Sequence, residues 1–334
     1  MVRLPGGTYA HDVPVVEVEG LVVRYGDVVA VDELSLTAGA GQVTAILGPN
    51  GAGKTSTVEV MEGYRRADSG SVRVLGLDPR ASHPQLTRKM GVMLQSGGVY
   101  PGIRVAEVVA LFCAHYGAGV NPSDVVEQVG LAERRGHTWR QLSGGEQQRL
   151  SLGLALCGRP EVVFLDEPTA SIDVAGRQTV RAIIRDLAAG GCCVVVTTHE
   201  LEEAERLADQ VLIVDHGQVV AAGTPGELTR SLRSDEIRFG APAGLDVHGL
   251  GATIGALVTE ASPGEYLVEA APSPARVAAV TTWLAERDIP LADLRAGRKR
   301  LEDVYLALTT ETSAAAAVRL GRRRRRGSRR GRSA

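Results

Sequence analysis

The stretch that decides the fold is AILGPNGAGKTSTVEV, residues 45–60. An apolar run closes at Leu47. Glycines, a proline and an asparagine follow, then Lys54, two hydroxyl residues and a renewed periodic apolar pattern. Residues 48–55, GPNGAGKT, fit the spacing G-x-x-x-x-G-K-[ST] with a strand before and a helix after, the setting a phosphate loop requires. Gly48, Gly51 and Gly53 allow a tight backbone turn, so that N–H groups of the loop, which includes Asn50, converge on phosphate oxygens. A helix opening near Lys54 adds the positive end of its dipole. Lys54 is placed to reach the β- and γ-phosphates, Thr55 to ligate Mg²⁺, and Ser56 to bond a phosphate oxygen.

Outward from this loop the chain alternates buried strands with amphipathic helices. EVVFLDEP (161–168) and CCVVVTTH (192–199) read as strands buried on both faces. AGRQTVRAIIRDLAAG (175–190) has helical periodicity, and QVLIVDHGQVVAAGTP (210–225) reads as a hairpin turning at His216-Gly217. This alternation predicts an α/β phosphate-loop NTPase with a mostly parallel central sheet. Strand-like residues 15–45 are expected as an antiparallel addition and residues 96–158 as an inserted helical subdomain.

Two further constellations carry chemistry. VVFLDEP ends a buried strand in Asp166, placed to hold Mg²⁺, and Glu167, placed to polarise a water for in-line attack on a γ-phosphate. QLSGGEQQRLSLGLAL (141–156) opens a helix with Ser143, Gly144 and Gly145, a second phosphate site at a dipole's positive end. One chain with one nucleotide has no use for two such sites. Two copies arranged head to tail do, each covering the other's γ-phosphate.

At these residues the sequence resembles the ATP-binding cassette (ABC) family, over about residues 15–230. The resemblance implies an ATPase with ATP and Mg²⁺ as cofactors and assigns further positions. Tyr25, in VVRYGDVVAVD, matches the aromatic that stacks on adenine. Gln95, in GVMLQSGGVYP, matches the glutamine that contacts Mg²⁺ and the attacking water. His199, in VVVTTHELEEAE, matches the histidine at the γ-phosphate. Lys54, Gln95, Glu167 and His199 are thus the expected catalytic set, with Thr55, Gln95 and Asp166 around the metal. Ser143, Gly144, Gly145, Glu146 and Asp173 would act on the partner copy's nucleotide. Asp173 lies in ASIDV, where the family's usual proline is replaced by Val174. GYRRADSGSVRVLGLDP, QSGGVYPGIRVAEVVALFCAHYG and the ending LEDVYLALT are similar to the bacterial exporter subfamily for drugs, antibiotics and lipid-like molecules. That likeness implies a homodimer at the cytoplasmic face of the membrane, bound to a separate polytopic permease that selects the cargo.

The rest of the chain constrains this reading. With 334 residues there is room for a second unit. The expected organisation is an N-terminal extension (1–14), the cassette (15–234), a small α+β accessory domain (235–311) in which ATIGALVTE (252–260) reads as a strand, and a disordered tail (312–334). No secretory signal or apolar run of spanning length is visible. Four cysteines without C-x-x-C spacing read as reduced thiols. Net charge is −2, yet residues 319–332 hold nine arginines and no acid, so the body is acidic and the tail basic. Anionic lipid would attract that tail. No specific nucleic-acid partner is expected. The competing class is a soluble ABC ATPase acting on ribosomes or nucleic acid, with the tail as anchor. About 47 residues separate Gln95 from Ser143, too few for the coiled coils or zinc modules of chromosome and repair ATPases.

Overall fold

A computed structural model describes residues 14–95, 98–117, 119–231, 236–296, 301–302 and 304–305. In chain order the elements are β1 (Val16–Tyr25), β2 (Val28–Ala38), β3 (Val43–Leu47), α1 (Lys54–Met61), β4 (Ser69–Val74), α2 (His83–Leu86), β5 (Met90–Met93), α3 (Val105–Tyr116), α4 (Pro122–Gln128), α5 (Gly144–Leu156), β6 (Val162–Asp166), α6 (Val174–Ala189), β7 (Cys193–Thr198), α7 (Leu201–Leu207), β8 (Gln210–Asp215), β9 (Gln218–Gly223), α8 (Pro225–Ser231), β10 (Ile237–Gly240), α9 (Val247–Ile254), β11 (Leu257–Ser262), β12 (Glu265–Glu269), α10 (Pro274–Ala285) and β13 (Asp293–Ala296). The chain divides into two compact units after Pro225, a little before the boundary expected at 234–235. The arginine-rich tail and most of the N-terminal extension lie outside the described residues.

The first unit is built on a six-stranded sheet in the order β5-β6-β7-β3-β8-β9. β5, β6, β7, β3 and β8 run parallel, and β9 returns antiparallel to β8. Every residue of β3, β6 and β7 is buried, as a parallel sheet covered on both faces requires. A second, antiparallel sheet has the order β2-β1-β4. Val16, Val18, Leu21 and Val23 of β1 join Val31, Leu34 and Leu36 of β2 and α1 residues Val58 and Met61 in one core that also includes Ile46, Phe164 and Val195 of the parallel sheet. The phosphate-loop helix is therefore wedged between the two sheets.

Two expectations are corrected. Residues 15–45 do not form one antiparallel addition: β1 and β2 do, but β3 sits at the centre of the parallel sheet between β7 and β8. The break comes in the turn after Ala38, where Gly41 takes φ 71, and the uniformly buried VTAIL that follows is apolar enough for a central strand. In the second unit, ATIGALVTE is not one strand. Its first residues finish α9, whose start is capped by Asp246 accepting from Gly249 N–H at 2.9 Å. Gly255 ends that helix in the left-handed conformation before β11 begins.

The second unit has an antiparallel sheet in the order β11-β12-β10-β13. Its inner face packs Ile237, Phe239, Tyr266 and Val268 against Leu250 and Ile254 of α9 and Val280, Trp283 and Leu284 of α10. Phe239 and Tyr266 stack with ring centroids 5.2 Å apart. All four cysteines are free and buried. Among the described residues no helix is long and apolar enough to cross a membrane.

Candidate functional site

The site lies where β3, β6 and β7 end. β3 delivers the chain into the phosphate loop, and two glycines show why no other residue fits there. A Cβ on Gly48 would stand 2.2 Å from Val214 O, so the loop packs against β8 with no room for a side chain. Gly53 caps α1 at φ 99, and a Cβ there would stand 2.4 Å from Ala30 O. Lys54 follows, buried, with Nζ donating to Gly48 O at 2.7 Å and Pro49 O at 3.0 Å. Burial lowers its ammonium pKa, and the Glu167 and Asp166 carboxylates oppose that shift.

β6 ends in Asp166 and passes into Glu167. Thr55 Oγ1 donates to Asp166 Oδ2 at 3.4 Å. The Thr197 hydroxyl, from the end of β7, donates to Asp166 Oδ1 and accepts from Glu167 N–H at 3.1 Å. Glu167 has φ 49, a left-handed conformation that costs a non-glycine residue on the order of 1 kcal/mol. Its peptide is fixed on both sides. The N–H also reaches Thr197 O at 3.2 Å, and the carbonyl accepts from Ala170 N at 3.1 Å and from Gln148 Nε2 at 2.9 Å. The Glu167 carboxylate is thereby held between two side chains, His199 Nδ1 at 2.8 Å from Oε1 and Gln95 Nε2 at 3.4 Å from Oε2.

The sequence-predicted residues fall into two groups. Lys54, Thr55, Ser56, Asp166, Glu167, Gln95 and His199 converge in one place, and Tyr25 joins them through its hydroxyl, 3.0 Å from Ser56 Oγ. Asn50 and Gly51 lie exposed in the loop. Ser143, Gly144, Gly145, Glu146 and Asp173 form a separate cluster, with no hydrogen bond to the phosphate loop among the described residues. A Cβ on Gly145 would lie 3.5 Å from Ile172, which joins the start of α5 to the turn at Asp173. Ser143 caps α5 in a capping box: its Oγ accepts from Glu146 N–H at 3.3 Å while its own N–H donates to Glu146 Oε2 at 2.8 Å. That N–H is the main reason the Glu146 carboxyl lies below the ordinary carboxylate range, aided by Arg134 Nε at 2.8 Å. Asp173 caps α6, accepting from Gly176 N–H at 3.2 Å. The missing proline is accommodated because Val174 takes the first helical position, where any residue with helical φ serves.

Sequence reasoning missed Thr197, Gln148, Arg65 and Arg177. Arg177 donates to Ile172 O at 3.1 Å and pairs with Glu200, the neighbour of His199. The doubled threonine before His199 was the only local signal among these.

For Mg²⁺ the fit is good: Thr55 and Asp166 present hard oxygen donors side by side at the loop. Among the described residues no group of His, Cys, Asp or Glu forms a cage of its own. This suits an ion held by one or two protein oxygens plus phosphates and water.

Comparison with known proteins gives the family. The model of the ABC transporter family matches residues 31–170. The daunorubicin/doxorubicin resistance ATP-binding protein DrrA of Streptomyces peucetius is 32% identical over 303 residues, 88% of this chain and 92% of that protein. The daunorubicin resistance ATP-binding protein DrrA3 of Streptomyces coeruleorubidus is 36% identical over 306 residues, 88% of this chain and 95% of that protein. Among solved structures, the dimeric post-hydrolysis state of the ATP-binding cassette MJ0796, bound to ADP and Pi, covers 63% of this chain and 98% of its own with TM-score 0.58. At 22% identity that likeness speaks to the fold. The relatives favour a transport ATPase over one acting on ribosomes or nucleic acid. By its phosphate loop, its Asp166–Glu167 strand end and its kinship along most of its length, the chain belongs to the ABC transporter family, as an ATP-hydrolysing subunit.

Proposed function

We propose that two copies of this chain close around two ATP molecules and drive export of a drug, antibiotic or lipid-like molecule through a separate permease at the cytoplasmic face of the membrane. The observation that carries the catalytic part is the Glu167 carboxylate, pinned between His199 and Gln95 beside Lys54 and Thr55. Lys54 and the loop N–H groups hold the β- and γ-phosphates. Thr55 and Asp166 would hold Mg²⁺, which supplies charge neutralisation at those phosphate oxygens when bound. Glu167 takes a proton from the attacking water, and His199 fixes the carboxylate's orientation while standing at the γ-phosphate.

The dimer reading is supported by the outward placement of Ser143, Gly144 and Asp173, all exposed and next to one another through Ile172. In the partner's site, Ser143 retains its hydroxyl hydrogen for a phosphate oxygen, because its Oγ acts as the acceptor in the capping box. ATP then contributes differential binding energy for the closed dimer, and hydrolysis removes it. The resistance relatives support the drug-type cargo, and the accessory domain is assigned to dimer or permease assembly.

Affinity purification from native membranes in mild detergent tests the partner. A stoichiometric polytopic membrane protein is the expected companion. Ribosomes or salt-released nucleic acid in its place would overturn the transport reading.

A further inference from the structure

Tyr25 closes β1, and its ring is tied to the phosphate-loop helix from two sides. Its hydroxyl lies 3.0 Å from Ser56 Oγ, on the first turn of α1. One of its faces carries the Arg65 guanidinium, with Cζ 4.4 Å from the ring centroid. Arg65 is held in turn by Glu59, also on α1: Nε lies 2.6 Å from Glu59 Oε2, and the Arg65 N–H donates to Glu59 O at 3.0 Å. Glu59, Arg65, Tyr25 and Ser56 therefore form a chain whose two ends sit on the helix that starts at Lys54. Tyr25 nevertheless keeps 45% of its surface exposed.

The Arg65–Glu59 pair stabilises the fold little by itself. Its side chains are 31% and 34% exposed, and such pairs contribute at most about 1 kcal/mol. What sets it apart is where it puts the guanidinium. A cation on one face of an aromatic ring leaves the opposite face for stacking and removes the ring's freedom to swing. An exposed tyrosine at a strand end would otherwise lose that freedom when a base binds, at a cost to affinity. Ser56 adds a second constraint, since it belongs to the same turn that meets the phosphates.

We infer that Arg65 is a positioning residue for the nucleobase: it occupies one face of Tyr25, fixes the ring relative to the phosphate loop and reserves the other face for a purine. This rests on the reading of Tyr25 as the adenine-stacking residue. It also defines what Arg65 does not do. It makes no direct attraction to phosphate, so its contribution depends on the base.

The test is equilibrium binding of ADP and of inorganic pyrophosphate to the full chain and to Arg65→Met, Tyr25→Leu and the double variant. Pyrophosphate reports the phosphate loop alone and also shows that each variant is folded there. Arg65→Met is expected to weaken ADP binding roughly two- to five-fold while leaving pyrophosphate unchanged. On the Tyr25→Leu background it should cause no further loss. Equal losses for ADP and pyrophosphate would make Arg65 a phosphate attractor and overturn the inference. Unchanged or tighter ADP binding would also overturn it, because Arg65 would then be idle or cover the face the purine needs. If Tyr25→Leu itself leaves ADP binding unchanged, the adenine role of Tyr25 falls and the inference with it. If Tyr25→Leu weakens ADP but Arg65→Met does not, only the inference falls.

Discussion

Gln148 donates its side-chain amide to the main-chain oxygen of Glu167 at 2.9 Å. It reaches from α5, the helix opened by Ser143, to the residue after β6 that bears the proposed general base. The helix whose N-terminus faces the partner's nucleotide in the proposed dimer is thereby bonded to the backbone that aims this protomer's own carboxylate.

Gln148→Leu tests that bond. The substitution keeps the bulk and removes the donor, leaving the Glu167 carbonyl with Ala170 N–H as its one remaining partner among the described residues, a loss on the order of 1 kcal/mol. Steady-state ATPase kinetics should show kcat lower by roughly five-fold with KM for ATP nearly unchanged. A raised KM with kcat intact would mean Gln148 supports nucleotide binding instead.

Gly53→Ala tests the loop. Its φ of 99 and the 2.4 Å approach of a Cβ to Ala30 O leave an alanine only strained choices. Backbone strain of this kind costs about 1–3 kcal/mol, and relieving it displaces the start of α1. Titration with ADP should show nucleotide binding weakened at least ten-fold, with secondary structure by circular dichroism retained.

Glu62 gives a pH prediction. It follows α1, is buried, and burial together with Asp166 and Glu59 pushes its carboxyl from 4.5 up to about 8. The folded chain thus holds a proton that the unfolded chain gives up near 4.5. Stability from the protonated group is complete below that value and is lost as pH rises through about 8. Glu62→Gln is neutral throughout. Thermal unfolding without nucleotide or Mg²⁺ should find the variant and parent alike near pH 4.5 and the variant more stable at pH 9, by on the order of 5 kcal/mol. A difference that does not change with pH would contradict the assignment.

The parts legible in the sequence are those whose chemistry is local. GPNGAGKT carries its own strand, turn and helix start, VVFLDEP its own buried strand and acidic end, and Ser143, Gly144 and Gly145 their own helix start. Contacts between distant segments were not legible. Gln148 meets Glu167, Thr197 bridges Asp166 and Glu167, and Arg65 covers Tyr25 only because the sheet order β6-β7-β3 and the wedge of α1 bring them together. β3 was misplaced for a related reason: its neighbours β7 and β8 lie more than a hundred residues further on. α9 was misread because Val247–Ile254 is short and its capping Asp246 precedes the stretch that looked like a strand.

The most direct test of the central claim is ATP turnover and sedimentation of Glu167→Gln. A positioned general base contributes roughly 10²–10⁴-fold to rate. The variant should therefore bind ATP, hydrolyse it at least a hundred-fold more slowly than the parent, and sediment as an ATP-containing dimer where the parent returns to monomer. Hydrolysis at the parental rate would contradict the account, because the carboxylate that His199 and Gln95 hold would then not be the base.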